Sequence, residues 1–221
     1  MRPSALFATL VVASTLATSA LAADEVPAAS PAPVPQGAYE IDKAHTSLLF
    51  KVNHLGFSTF TGRFTRVDAK LAFDPRQLAA SSVNVSIDPK SISTDNAPDG
   101  FLDELAGQMF LDAGKYPQMS FVSRSVEDAG NGNFRIRGEL TLHGVTKPLT
   151  LEGHYNGGYA GHPFDPHARV GFSARGTLKR SDYGISFGIP AAANHFFGVG
   201  DEVQVQLETE FSGPALQVAS R

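Results

Sequence analysis

The sequence predicts an all-β protein: an eight-stranded antiparallel β-barrel with a short helical connector between strands. Three observations predict it. Eight segments alternate apolar and polar residues with a period of two, the pattern of strands with one dry face and one wet face. Turn-forming clusters separate these segments, such as Asp128–Asn133 and Asn156–Gly158. A single stretch switches to helical spacing. Strands of this kind gain by closing on themselves, because closure removes unpaired edges.

The chain of 221 residues opens with a segment that is not part of the barrel. Arg2 gives a basic start, an apolar run extends from Ala5 to Ala17, and Ala20-Leu21-Ala22 is a small-x-small cleavage site. Residues 1–22 therefore read as a secretory signal peptide, and the mature protein is expected in the periplasm. The apolar run is shorter than the roughly 20 residues that a membrane span needs. No stable membrane insertion is expected. Residues 23–37 are rich in Ala and Pro and read as a linker. The barrel is expected over 38–213, followed by a C-terminal tail at 214–221.

The first strand lies in His45–His54. Thr46, Leu48, Phe50, Val52 and His54 share one face; Ser47, Leu49, Lys51 and Asn53 share the other. Next, Val67, Ala69, Leu71 and Phe73 alternate with Asp68 and Lys70, and Val83, Val85 and Ile87 with Asn84 and Ser86. A helix then interrupts the pattern. Phe101, Leu102 and Leu105 have helical spacing, Asp95 or Asn96 is a candidate cap, and Pro98 suits a first turn. The helix is expected from Asp99 to Ala106, with Gly107 ending it.

Alternation resumes at Met119–Ser125. It continues through Phe134, Ile136, Leu140 and Leu142, and after a tight hairpin turn at His143–Pro148 through Leu149, Leu151 and Tyr155. Val170, Phe172, Ala174 and Leu178 mark the seventh strand, and Val203, Val205, Leu207 and Phe211 the eighth. The connection between these last two, Ser181–Gly200, is long and rich in Gly and aromatic residues. Loops of that length in small domains are usually functional or mobile.

Composition excludes several function classes. The chain has no cysteine, hence no disulfide framework, thiolate metal site or thiol nucleophile. Its net charge is −4, and loss of Arg2 makes it one unit more negative. That argues against nucleic acid as a partner. No nucleophile elbow or phosphate loop appears. Ser47 and His45 sit at a spacing that suits a poor nucleophile–base couple. His162, Asp165 and His167, with His154 nearby, are the place to look for a metal, but the prolines and irregular spacing read as a loop. No catalytic residue, metal or cofactor is expected, and the protein is not expected to be an enzyme. The competing reading is a histidine- or metal-dependent enzyme acting on a lipid or small molecule.

A barrel of eight strands is just wide enough to be filled by side chains or to hold one slender ligand. Sixteen Phe and no Trp make its interior apolar. Inward Gly138, Gly153 and Gly176 either leave room for a ligand or let strands bend. His54 is either a polar end to an apolar tunnel or a mouth residue bonded to the backbone. Arg180 continues an apolar face, and a buried Arg needs an anionic partner: Asp182 or a phosphate head group.

Several motifs occur together and in order: Asp42-x-x-His45-x-Ser47, Phe50-x-Val52-x-His54-x-Gly56, Lys115-Tyr116-Pro117, Leu140–Pro148 and Arg180–Gly184. In these the chain resembles the YceI-like family of lipid- or polyisoprenoid-binding proteins, from Tyr39 to Phe211. The resemblance implies a lipocalin-like barrel with a long apolar pocket. Its cargo would be an apolar-tailed lipid: a polyisoprenoid, an isoprenoid quinone or a fatty acid derivative. Many members carry an Arg-Asp pair and a His-Leu dipeptide in the helical connector; here Ala97–Gly107 has neither, so head-group preference is the property least transferred. The expected ligand-binding residues are Phe50, Val52, His54, Phe60, Phe64, Met109, Phe110, Met119, Phe121, Leu140, Leu142, Gly153, Arg180 and Phe187. A homodimer is left open.

Overall fold

The computed structural model describes residues 34–162, 164–190 and 198–215. The signal peptide, most of the linker, most of the tail, and Phe196 and Phe197 lie outside the described residues. The strands in chain order are β1 (Gly37–His54), β2 (Ser58–Phe64), β3 (Val67–Phe73), β4 (Ser82–Ile87) and β5 (Ile92–Ser93). After helix α1 (Phe101–Ala106) come β6 (Met119–Gly130), β7 (Asn133–Leu142), β8 (Val145–Tyr159), β9 (His167–Lys179) and β10 (Val199–Ala215).

The eight alternating segments form one closed antiparallel ring, β1-β3-β4-β6-β7-β8-β9-β10, with β10 pairing back onto β1. Strands β2 and β5 were not anticipated. Strand β5 has only two residues, and in β2 Gly62 stands between Phe60 and Phe64 and breaks the apolar alternation on which strand recognition depends. Both stand outside the ring: β2 pairs with β1, and β5 with β2.

A bulge in β1 makes room for them. Asp42 pairs with Glu210 and Ser47 with Glu208, so β1 carries three residues more than β10 there. Before the bulge β1 pairs with β3; after it, with β2. An odd number of extra residues also flips the faces. Tyr39 is inward before the bulge and Leu48, Phe50 and Val52 after it. Thr46, expected to share the inward face, sits in the bulge and donates its hydroxyl to the Asp42 carbonyl at 2.8 Å.

Helix α1 starts two residues later than expected. Gly100, with φ of 78°, stands at its N-terminus and no side chain caps it. Asp95, one expected cap, pairs instead with Arg63 at 2.7 Å. Gly107 ends the helix, its N–H donating to the Glu104 carbonyl. The β7–β8 hairpin turns on His143 and Gly144, both at positive φ (52° and 74°). That suits a two-residue turn between twisted strands. Of the expected turn His143–Pro148, only His143 and Gly144 turn; Val145–Pro148 belong to β8. The last linker residues are also ordered: Val34 is buried and the Tyr39 hydroxyl donates to the Pro35 carbonyl at 2.6 Å.

The inward residues form two clusters at opposite ends of the barrel. One is aromatic. Phe172 lies within 5.5–6.1 Å, centroid to centroid, of Phe73, Phe134, Tyr155 and Phe211. The other is mostly aliphatic, around Leu48, Ile87, Leu140, Leu149 and Leu151. The outer face carries cross-strand ion pairs, including Arg135–Glu152 at 2.8 Å and Arg137–Glu127 at 2.5 Å.

Candidate ligand-binding cavity

The aliphatic half of the barrel is hollow. A cavity of about 300 Å³ is bounded by the inward side chains of the ring strands, by β2 and by α1. Each strand contributes alternate residues: Phe50, Val52 and His54 from β1, Leu140 and Leu142 from β7, Leu149 and Leu151 from β8. Strand β2 adds Phe60 and Phe64, and the helix adds Phe101 and Leu105, one turn apart on one face. Of the lining residues only His54 and Arg180 have polar side chains.

Both polar residues belong to one end of the barrel. His54 is the last residue of β1 and is exposed. Its face is that of Phe50 and Val52, so the apolar run ends in an imidazole where the cavity meets solvent. Arg180 follows β9 and is buried, 6% exposed. Its Nε donates to the Gly200 carbonyl and its Nη2 to the Val199 carbonyl, both at 2.8 Å. Its Nη1 donates to the Phe187 carbonyl at 2.7 Å. Asp182 is exposed and does not pair with it, contrary to the internal partner expected from sequence. Among the described residues no carboxylate forms an ion pair with Arg180; main-chain oxygens solvate it instead. Burial lowers its pKa from the ordinary value. The guanidinium ties Ile185–Phe187 to the start of β10, which fixes the rim of the cavity.

Eleven of the fourteen expected residues line the cavity: Phe50, Val52, His54, Phe60, Phe64, Phe110, Met119, Phe121, Leu140, Leu142 and Arg180. Three do not. Met109 is 47% exposed and Phe187 is 49% exposed, packing edge-on against the outer side of Phe110 with centroids 5.4 Å apart. Both lie in connections, where periodicity gives no facing. Gly153 is on the inward side of β8 but in the other half of the barrel. A Cβ there would stand 2.2 Å from the Phe134 ring. The space left by its missing side chain is filled by that ring. Phe57 is 77% exposed at the β1–β2 turn.

Sequence reasoning passed over Phe101 and Leu105. Their helical spacing was the available signal; that the spacing faced a ligand cavity depended on where the connector folds. Leu149 and Leu151 were assigned inward without being singled out.

Among the described residues, His143 and His45 make local contacts. His143 Nδ1 lies 3.0 Å from the Tyr183 carbonyl, so Nδ1 carries the proton. Its ring packs on Tyr116 with centroids 4.8 Å apart. Asp165 does not converge with His167: its carboxylate accepts from the Tyr159 hydroxyl at 2.7 Å and from Arg169 Nε at 3.0 Å. His45 Nδ1 lies 3.1 Å from Asp42, and Arg169 also pairs with Asp42. These contacts hold the Asp42 carboxyl down at about 2, the His45 hydrogen bond acting most strongly.

The comparisons with known proteins agree with this architecture. A family model described as the YceI-like domain matches residues 39–211. A UPF0312 protein of Shewanella oneidensis is 36% identical over 194 residues, covering 86% of this chain and 92% of its own length. Among solved structures, Burkholderia cenocepacia BcnA superposes with a TM-score of 0.65 at 25% identity, over 77% of this chain and 98% of its own. A polyisoprenoid binding domain from Saccharophagus degradans superposes with a TM-score of 0.61 over 80% of this chain and 99% of its own; at 16% identity the likeness is one of fold.

Proposed function

The chain belongs to the YceI-like domain family, and from that premise we propose that it binds one amphiphile with a long apolar tail and carries or sequesters it without chemical change. The tail is a polyisoprenoid, an isoprenoid quinone or a fatty acid derivative. The observation that carries this reading is the cavity lining: apolar throughout, with His54 and Arg180 as its polar residues, both at one end. Such a surface has little to offer a polar substrate. It suits a tail inside and a head group at the rim. Each buried CH₂ contributes about 0.8 kcal/mol before the losses of binding are counted.

The protein acts in the periplasm after cleavage behind Ala22. Intact-mass measurement on exported protein tests the cleavage; a chain still starting at Met1 in the cytoplasm would contradict it. The binding reading is tested by native mass spectrometry of gently purified protein, paired with organic extraction. One apolar-tailed molecule per chain is expected. Finding a stoichiometric metal and no lipid, with an activity lost on substitution of a histidine, would replace this reading with the enzymatic one.

A further inference from the structure

Strands β1 and β9 end at the mouth of the cavity, and β2 and β10 begin there. Among the described residues four large apolar side chains are exposed, and three of them belong to this end: Phe57, Met109 and Phe187. Phe57 stands in the β1–β2 turn, and the turn is braced. The Leu55 N–H donates to the Gly198 carbonyl at 2.9 Å, the Phe57 N–H to the His54 carbonyl at 3.0 Å, and the Gly56 N–H to the Asn53 side chain at 2.8 Å. Gly198 leads into β10, where the Val199 N–H donates to the carbonyl of Gly188, next to Phe187, at 2.8 Å. Phe187 packs on Phe110, whose ring lines the cavity and whose chain neighbour is Met109. A chain of contacts therefore runs from Phe57 through Phe187 to Met109 around the mouth.

We propose that Phe57, Met109 and Phe187 form an apolar rim by which the mouth docks on a lipid bilayer, and that the amphiphile passes between bilayer and cavity through that contact. The proposal rests on the lipid-binding reading above. Release of an apolar tail into water is slowed about fourfold for each CH₂ exposed, hence about ten-million-fold for about a dozen carbons. Docking removes that step, because the tail slides from one apolar medium into another. The rim suits a bilayer better than a protein. Its side chains project from three separate segments: a turn, the helical connector and the β9–β10 connection. A fluid interface shapes itself around such points, whereas a protein partner needs matching hollows. Charge narrows the surface further. Residues 94–118 hold five carboxylates and Lys115, residues 180–190 hold Asp182 and the buried Arg180, and residues 55–57 hold no charge. With that acidic balance the rim has nothing to draw it to anionic head groups. It docks by apolar contact, on zwitterionic lipid.

The test is a transfer assay. Protein is loaded with a fluorescent amphiphile, either an anthracene-labelled stearate or a labelled farnesyl phosphate. It is mixed with phosphatidylcholine vesicles that contain a quencher, and the quenching rate is followed as vesicle concentration rises. Transfer by contact gives a rate proportional to vesicle concentration; release through water gives one rate at every concentration. Proportionality is expected, with no dependence on salt. In the double variant Phe57→Ser, Met109→Ser the rate should fall about tenfold, from the apolar area no longer inserted. The amount of probe held at equilibrium should not change, since neither side chain lines the cavity. Phe164→Ser is the control. Phe164 is the most exposed of the four side chains, but it stands in the β8–β9 connection at the opposite end of the barrel, and its loss should leave the rate as it was. A rate independent of vesicle concentration overturns the proposal, and so does a double variant as fast as the unaltered protein. A rate that needs phosphatidylglycerol and falls with salt also overturns it, because the contact would then be electrostatic. Transfer that ignores vesicles but scales with added probe-free protein would assign the rim to a second copy of this chain instead. Protein that takes up neither probe overturns the docking together with the reading on which it rests.

Discussion

Arg180 is a cation in the wall of an apolar cavity, held by carbonyl oxygens of Ile185, Phe187, Val199 and Gly200. Removing the guanidinium leaves those buried acceptors unpaired, which costs more than the bonds themselves are worth. Arg180→Met should lower stability by about 2–4 kcal/mol in denaturant titration. Arg180→Lys should recover little of it, since an ammonium cannot reach carbonyls spread around a planar fork. Full recovery by Lys would show that the charge matters and the geometry does not. Gly153 makes the opposite kind of claim. Gly153→Ala presses a methyl group into the Phe134 ring and should cost about 1–3 kcal/mol as overpacking. Lipid bound per folded molecule should not change, because the position is outside the cavity. A fall in bound lipid with unchanged stability would place the cavity deeper than described.

The bulge in β1 connects sequence pattern to site at the scale of the element. Without it, β1 could not leave β3 for β2, and the faces of its two halves would not both be inward. Its register is tested by neighbours on opposite faces. Phe50→Asp puts a carboxylate among apolar lining residues and should lower the unfolding temperature markedly, or abolish lipid binding. Lys51→Asp lies on the solvent face, where Lys51 Nζ reaches Gln206 at 3.4 Å, and should be nearly silent. Thermal unfolding of the two variants decides it; the reverse order would mean that the strand faces the other way. For this half of β1 the facing was legible in the alternation itself. The bulge was not, because His45 and Thr46 continue the same two-residue pattern and only the pairing with β10 shows that they are looped out.

At the scale of the whole molecule, the ring closes where β1 meets β10, and Asp42 stands at that seam with His45 and Arg169. Its carboxyl, ordinarily at 3.8, is held at about 2 in the folded protein. A depressed carboxyl contributes stability above its unfolded value and loses it as pH falls through the folded one. Stability should therefore decline between about pH 4 and pH 2, and Asp42→Asn should flatten that decline. Equal slopes in the two proteins would remove Asp42 from the acid transition. At the other end, burial raises the Tyr39 phenol to about 12. The neutral ring is the one that folding favours, so stability should fall as pH rises from about 10 to 12. Tyr39→Phe should lessen that fall, at the expense of the bond to the Pro35 carbonyl.

The alternation of Val67–Phe73, Val83–Ile87 or Val203–Phe211 determined by itself that these segments are strands, and which side of each is dry. Two-residue periodicity is a local property, and it survives any arrangement of the neighbours. The ring of eight and most of the cavity lining follow from it. Three matters were decided by tertiary structure. Phe101 and Leu105 line the cavity because the connector folds back over the barrel mouth, a placement that no spacing within the helix encodes. Arg180 is buried without a carboxylate because two distant segments, Ile185–Phe187 and Val199–Gly200, bring their carbonyls around it. Gly153 and Leu151 have the same facing on the same strand, yet one sits under a ring and the other borders a void. The difference is made by Phe134 and Phe172, on the two strands that flank β8. Whether an inward position is filled depends on volumes contributed from across the barrel, and the alternation within a single strand carries no information about them.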